Sequence, residues 1–254
     1  MKILVISSCT KEKKFKIQNQ ANAEELDNPE TREIKTAELW KYRTPALEMY
    51  TGDQHKFLIE GLNKLWDKYG NKFIDLYIVS AGYGLISANE LIIPYEVTFS
   101  FMGINKIINR SKKLQIKEKC ETLIKNYDLI FYLLGAEYIR ALRLPFNLSE
   151  KIIQIFFIGP SHKKLIPVQE NNFIIESGNK EAKLFHIKTL ALKGYMFKKI
   201  CENILNYGEK LINEIYKNPY LINDILKNSL SDKSCEQLSI FQYKQLYYFG
   251  EIIS

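Results

Sequence analysis

Four short apolar runs constrain this chain more than anything else in it: residues 2–7 (KILVIS), 74–79 (IDLYIV), 128–134 (DLIFYLL) and 152–158 (IIQIFFI). Each has the length and the β-branched and aromatic content of a strand buried on both faces. Helix-like patterning fills the gaps between them. Strands buried on both faces belong to parallel sheets covered by helices on either side. The expected fold is therefore α/β, a four-stranded parallel sheet in a three-layer α/β/α arrangement with right-handed crossovers. Residues 173–176 add a short edge strand.

The connecting segments supply the helices. Thr44-Pro45 reads as a helix start, and Asp53 as the cap of a helix over 53–69 that Gly70 and Asn71 stop. Phe57, Leu58, Gly61, Leu62, Leu65 and Trp66 fall on its inner face. A basic amphipathic helix is predicted over 105–126, a short one after Gly135, and a mostly helical stretch over 187–217. Gly194 either kinks that stretch or permits close backbone approach. Residues 11–43 are polar with little periodicity, and read as a functional loop or a partly disordered one. The chain divides into an α/β domain, 1–180, and a helical extension packed on it, 181–254, which ends in Tyr243, Tyr247 and Tyr248.

In a parallel sheet the loops after residues 7, 79, 134 and 158 all open on one edge, where α/β proteins place their chemistry. After the first strand come Ser8, Thr10 and Lys11, which would cradle a phosphate or carboxylate or form a simple polar turn. After the second come Ser80, Gly82, Tyr83 and Gly84, then Asn89, Glu90, Pro94, Tyr95 and Glu96. After the third stand Gly135 and Glu137, and after the fourth Ser161, His162 and Lys163. Glu96 and Glu90 are the carboxylates for acid–base work, with Glu137 and Asp53 behind them. Desolvation beside Tyr83 and Tyr95 would raise a glutamate pKa there; the plainer role is a hydrogen bond to the loop backbone. The two tyrosines would stack on a base or fill the core, and for Tyr95 the core is the reading. His162 would donate to a phosphate or a leaving base, or is an exposed turn residue. Cys9, with Lys11 nearby, reads as a buried structural thiol.

Composition narrows the class. Hydrophobic residues make up 46% and charged residues 26%, as in a globular protein, and no apolar run nears the ~20 residues of a membrane helix. The apolar start is too short for a secretory signal, and Cys9, Cys120, Cys201 and Cys235 form no CxxC pair. Reduced thiols in a cytoplasm are expected. Neither GxGxxG nor GK[ST] occurs, and no histidine spacing suits a metal triad, so no cofactor is expected. The net charge is +7, and residues 101–200 hold 18 basic and 8 acidic side chains against 13 and 14 in the first hundred. That excess suits a polyanion, or lysines that merely solvate helices. Lys112, Lys113, Lys163, Lys198 and Lys199 are the expected phosphate contacts.

The segments KILVISSCTKEK, ALEMYTGDQHKF, YIVSAGYGLISANELIIPYEVTF and IFYLLGAEYIRAL together resemble a prokaryotic family with a Ser-Ala-x-x-Gly-Leu…Pro-Tyr-Asp/Glu core. That family is linked to the peroxide-stress protein YaaA and to genome-defence or DNA-modification loci. The resemblance covers about residues 1–145. A second resemblance, to the uracil-DNA glycosylase superfamily and archaeal tRNA-guanine transglycosylases, rests on LLGAEY and on Gly159-Pro160-Ser161-His162. The histidine is displaced there, and the Gly-x-Asp-Pro-Tyr signature after the first strand is missing. These resemblances imply an enzyme acting on nucleic acid, DNA rather than RNA: an N-glycosylase that excises a modified base, with a role in phage defence. The alternatives are a non-catalytic DNA-binding stress-protection protein of YaaA type and a transferase acting on nucleosides or nucleotides.

Overall fold

The computed structural model describes residues 1–231; Cys235 and the tyrosines at 243, 247 and 248 lie outside them. All four predicted strands are present, as β1 (Ile3–Ser8), β3 (Asp75–Ser80), β6 (Leu129–Leu133) and β7 (Ile153–Ile158). The sheet is nevertheless six-stranded. The edge strand β8 (Asn172–Glu176) runs parallel to β7, and β4 (Gly84–Ser87) runs antiparallel to β3, in the order β4-β3-β1-β6-β7-β8. β4 lies inside the stretch expected to be a loop. Gly84, at φ +80°, turns the chain straight back so that it faces Ser80. A minor ladder pairs β2 (Thr44–Pro45) with β5 (Leu91–Ile92).

The central strands β1 and β6 are buried along their whole length, which is why their sequences carry no alternation. Helices cover both faces. Phe131 packs edge-on against Phe197 of α9 (Leu192–Tyr207) at 5.3 Å. Its neighbour Tyr132 points to the other face, toward Cys120 of α6 (Ile116–Ile124), and stacks on Phe156 at 4.3 Å.

The helix predicted over 53–69 is α4 (Asp53–Tyr69), although its cap position is Gly52 and Asp53 is its first residue. Thr44-Pro45 leads into a single turn, α3 (Ala46–Met49). The basic helix is two, α5 (Ile104–Lys113) and α6, because Gln115 takes a left-handed conformation at φ 53°. The stretch over 187–217 likewise divides at Gly208 into α9 and α10 (Glu209–Lys217). α7 (Ala136–Leu142) follows β6, a 3₁₀ segment (Pro160–Leu165) follows β7, and α8 (Asn179–Phe185) follows β8. α11 (Leu221–Ser231) closes the described chain.

Residues 11–43 are ordered rather than a bare loop. Asn22 and Glu25 cap α1 (Ala23–Asp27) reciprocally at 3.0 and 2.8 Å, and Asn28 caps α2 (Pro29–Glu38). The segment is held by the buried side chains of Ala21, Leu26 and Leu39 and by a partly buried ion cluster rather than by a continuous apolar stripe. Asp27 meets Arg110 at 3.0 Å and Lys113 at 2.9 Å, while Arg110 also donates to the Ala81 carbonyl. Burial pushes the Asp27 carboxyl up, and hydrogen bonds from Lys113 and Arg110 outweigh it, leaving the pKa below the usual range.

Candidate functional site at the carboxyl edge of the sheet

β1 lies between β3 and β6, so the chain winds outward first to one side of β1 and then to the other. The carboxyl ends of β1 and β6 flank the crevice that such a reversal opens, the place where doubly wound sheets hold ligands. Gln54, in the first turn of α4, spans it: its Nε2 donates to the Leu133 carbonyl at 3.0 Å and to Ser8 Oγ at 3.5 Å. Thr10 Oγ1 accepts from the Gly52 amide at 3.2 Å and ties the β1 turn to the start of α4. Ser8, Thr10 and Gly135 are thereby brought to one edge, as expected.

A chain of buried hydroxyls lies beside the crevice. Tyr95 Oη contacts Tyr50 Oη at 2.8 Å and Ser80 Oγ at 2.7 Å, and Ser80 Oγ accepts from the amides of Gly82 and Tyr83 at 3.1 Å. Tyr83 packs edge-on against the Tyr95 ring at 5.2 Å. Across β1, Cys9 Sγ meets Tyr138 Oη at 3.1 Å. Burial raises the pKa of Tyr50, Tyr95 and Tyr138, and pushes Tyr83 up to about 12. Tyr95 is core, as read from the sequence, and its hydroxyl organises the loop around it.

Two lysines that the sequence did not single out stand at the same edge. Lys13 is only 7% exposed; its Nζ lies 4.5 Å from the Tyr95 ring centroid and reaches the Lys11 carbonyl at 3.4 Å. Burial lowers its pKa, against the opposing pull of Cys9 and Glu96. Lys193, in the first turn of α9, has its pKa lowered by burial as well, with Glu137 pulling it back. Among the described residues neither forms an ion pair. Lys13 is one of four lysines between 11 and 16, and its burial depends on a tyrosine far along the chain. Lys193 adjoins Gly194, which did draw notice.

The remaining predicted residues divide. Glu96 is exposed rather than desolvated, but close enough to act electrostatically on Lys13. Glu90 is exposed and away from the crevice: β4 runs back along β3 until the Ala88 amide reaches the Leu76 carbonyl, and from the turn beyond it Glu90 acts electrostatically on Tyr77 and Tyr83. His162 is half-exposed beside Ser161 Oγ at 3.1 Å. Its loop follows β7, three strand spacings or roughly 14 Å from the loop after β3. Tyr83 and His162 therefore do not close on one small ligand. The expected phosphate lysines are largely paired: Lys113 with Asp27, Lys163 with Glu176, Lys198 with Glu60 at 2.7 Å and Lys199 with Glu202 at 2.8 Å. Lys112 is exposed. Most of these lysines are engaged by carboxylates rather than free to meet a polyanion.

With this geometry in place, the chain can be compared with known proteins. No family model matches it. It is similar to UPF0246 proteins. The one from Limosilactobacillus reuteri strain DSM 20016 is 24% identical over 196 residues, covering 72% of this chain and 75% of the relative. Its counterpart from Limosilactobacillus reuteri subsp. reuteri strain JCM 1112 aligns with the same figures. The match is longer than the first 145 residues and supports the YaaA-type link. Among the described residues, no helix is long and apolar enough to cross a membrane.

Proposed function

We propose that this protein is a YaaA-type stress-protection protein that binds DNA by its phosphates at the crevice between β1 and β6. The observation that supports this reading is Lys13, a buried ammonium group without an ion-pair partner, with the partly exposed and likewise unpaired Lys193 and the hydroxyls of Ser8 and Thr10 at the same edge of the sheet. Burying an ammonium group without a counter-ion is costly, and a phosphate entering the crevice supplies the missing charge. The UPF0246 likeness favours the same reading. Binding should weaken steeply with salt, and Lys13→Met with Lys193→Met should lower affinity at least tenfold and flatten the salt slope by up to about two. Fluorescence anisotropy on single- and double-stranded DNA, with RNA beside them, tests it. Undiminished binding by the double variant counts against the crevice, and absence of binding at low salt counts against the function.

A second reading, excision of a modified base, rests on Glu96 standing as a free carboxylate beside Lys13, where it can stabilise an oxocarbenium-like sugar. Incubating the protein with phage DNA of several modification classes and probing for abasic sites tests that activity. A positive result abolished by Glu96→Gln would displace the non-catalytic reading.

A further inference from the structure

We infer that Lys13 is a covalent nucleophile whose amine forms an imine with a phosphate-bearing aldehyde. The inference rests on the proposed function for the phosphate, but on separate observations for the amine.

Buried lysines in folded proteins are ordinarily neutralised by a carboxylate. Lys13 is not. The residue is only 7% exposed, its hydrogen-bond acceptor is a backbone carbonyl at 3.4 Å, and the face of Tyr95 occupies one side of the ammonium. The backbone around it is fixed: Lys13 bridges Tyr50, the Lys14 amide donates to the Met49 carbonyl at 2.8 Å, and the Thr51 amide to the Glu12 carbonyl at 3.1 Å. The amine is thus held by ordered neighbours rather than on a mobile stem. Cys9 at the end of β1 and the exposed Glu96 are the ionisable groups that act on it. Desolvation favours the uncharged amine, the form that attacks a carbonyl, and it is the ordinary way a protein turns a lysine into a nucleophile.

The step balances without a further reactant. Glu96 accepts a proton from the ammonium, and the amine lone pair attacks the aldehyde carbon. The carbonyl π electrons pass to oxygen, which is protonated. The carbinolamine nitrogen then releases its second proton, the departing hydroxyl takes it up as water leaves, and the product is a protonated imine, the form that cyanoborohydride reduces. Glu96, the carboxylate that acts electrostatically on Lys13 without pairing with it, relays both protons through water that enters with the aldehyde. Lys193 and the turn at Ser8 and Thr10 supply the anion contacts. Two sources carry this chemistry, the ring-opened sugar of an abasic nucleic-acid site and a small phosphorylated aldehyde.

The test is reductive trapping of the full chain with cyanoborohydride, followed by peptide mass spectrometry. One arm uses an oligonucleotide with an abasic site, a second uses glyceraldehyde 3-phosphate, and a third uses an oligonucleotide with a tetrahydrofuran analogue, which binds without offering an aldehyde. The expected result is an adduct mapped to Lys13 in one of the first two arms and none in the third. Lys13→Met should lower the yield at least tenfold, and Lys14→Met, whose exposed side chain pairs with Glu48, should leave it unchanged. Mapping on the wild-type chain decides the matter even where Lys13→Met does not fold. Absence of an adduct in both aldehyde arms, or adducts scattered over exposed lysines and equally abundant in Lys13→Met, overturns the inference. If the tetrahydrofuran oligonucleotide still binds, the DNA-binding reading survives that failure. Trapping by the small aldehyde alone, with no DNA binding, removes the DNA reading and keeps the amine.

Discussion

The Tyr95 hydroxyl joins three segments that are distant in sequence: Tyr50 after α3, Ser80 at the end of β3, and its own loop, which the Ala21–Tyr95 bridge holds against the residues before α1. Tyr95→Phe removes one oxygen and leaves the ring packing intact. Tyr50 Oη then loses the Tyr95 hydroxyl that it contacts at 2.8 Å in the buried core, while Ser80 Oγ keeps the amides of Gly82 and Tyr83. Ser80 remains beside Tyr50, so unfolding in urea should show a loss of about 0.5–1.5 kcal/mol, the usual net worth of a hydrogen bond. The same hydroxyls govern behaviour in alkali. Burial raises the pKa of Tyr50, Tyr95, Tyr132 and Tyr138 above the ordinary value of 10.0. Above about pH 10 the unfolded chain has released protons that the native state still holds, so this contribution to stability is intact below pH 10 and falls as the pH rises past it. Phenolate absorbance from these residues should therefore appear together with the loss of circular dichroism. Titration of all tyrosines in a still-folded protein would contradict their burial.

α4 and α9 lie side by side on one face of the sheet, and their contact decides how the crevice is walled. A Cβ built on Gly194 would stand 2.0 Å from the Gln54 carbonyl oxygen, and one on Gly61 3.0 Å from the Lys198 backbone. Gly194→Ala must push the start of α9 away from Gln54, the residue that spans Ser8 and Leu133. It should cost about 1–3 kcal/mol or more in urea unfolding and weaken DNA binding along with it. Gly103→Ala, where nothing lies within 4 Å and φ is -63°, separates the effect of the contact from that of adding a methyl group. Close approach at Gly194 was one of two readings open from the sequence, and it is the one observed. The strands were legible because burial on both faces leaves an uninterrupted apolar run, and with them came the edge on which the loops converge. β4 was not, because GLIS is too short to stand out from the polar residues around it. Nor were α1 and α2, whose place depends on Leu26 and on an Asp27–Arg110 pair spanning 83 positions. Lys13 was hidden for the same reason: its neighbours in sequence are lysines, and the ring that covers it arrives from Tyr95.

Charge behaves differently across the whole molecule than composition alone suggests. The excess in residues 101–200 would act as one surface only if its lysines were free and faced one way. Instead Lys198 reaches across to Glu60 on α4, and Lys163 pairs with Glu176 at the end of β8. Such pairs are partly exposed and contribute up to about 1 kcal/mol each. Their lysines carry little unspent charge to offer a polyanion. Lys13 and Lys193 are the reverse case, few in number but without ion-pair partners near the only reversal in strand order among the described residues, the first buried and the second partly so. Lys198→Glu should thus lower stability modestly, since it sets like charges against Glu60 and Glu202, yet leave the salt dependence of DNA binding near its original slope. Lys13→Met and Lys193→Met should do the opposite, flattening that slope by about one each. Anisotropy titrations at several salt concentrations, read as log affinity against log salt, separate the two patterns. If Lys198→Glu flattened the slope and the crevice variants did not, the bound strand would lie along α9, and the edge of the sheet would have to be given up as its seat.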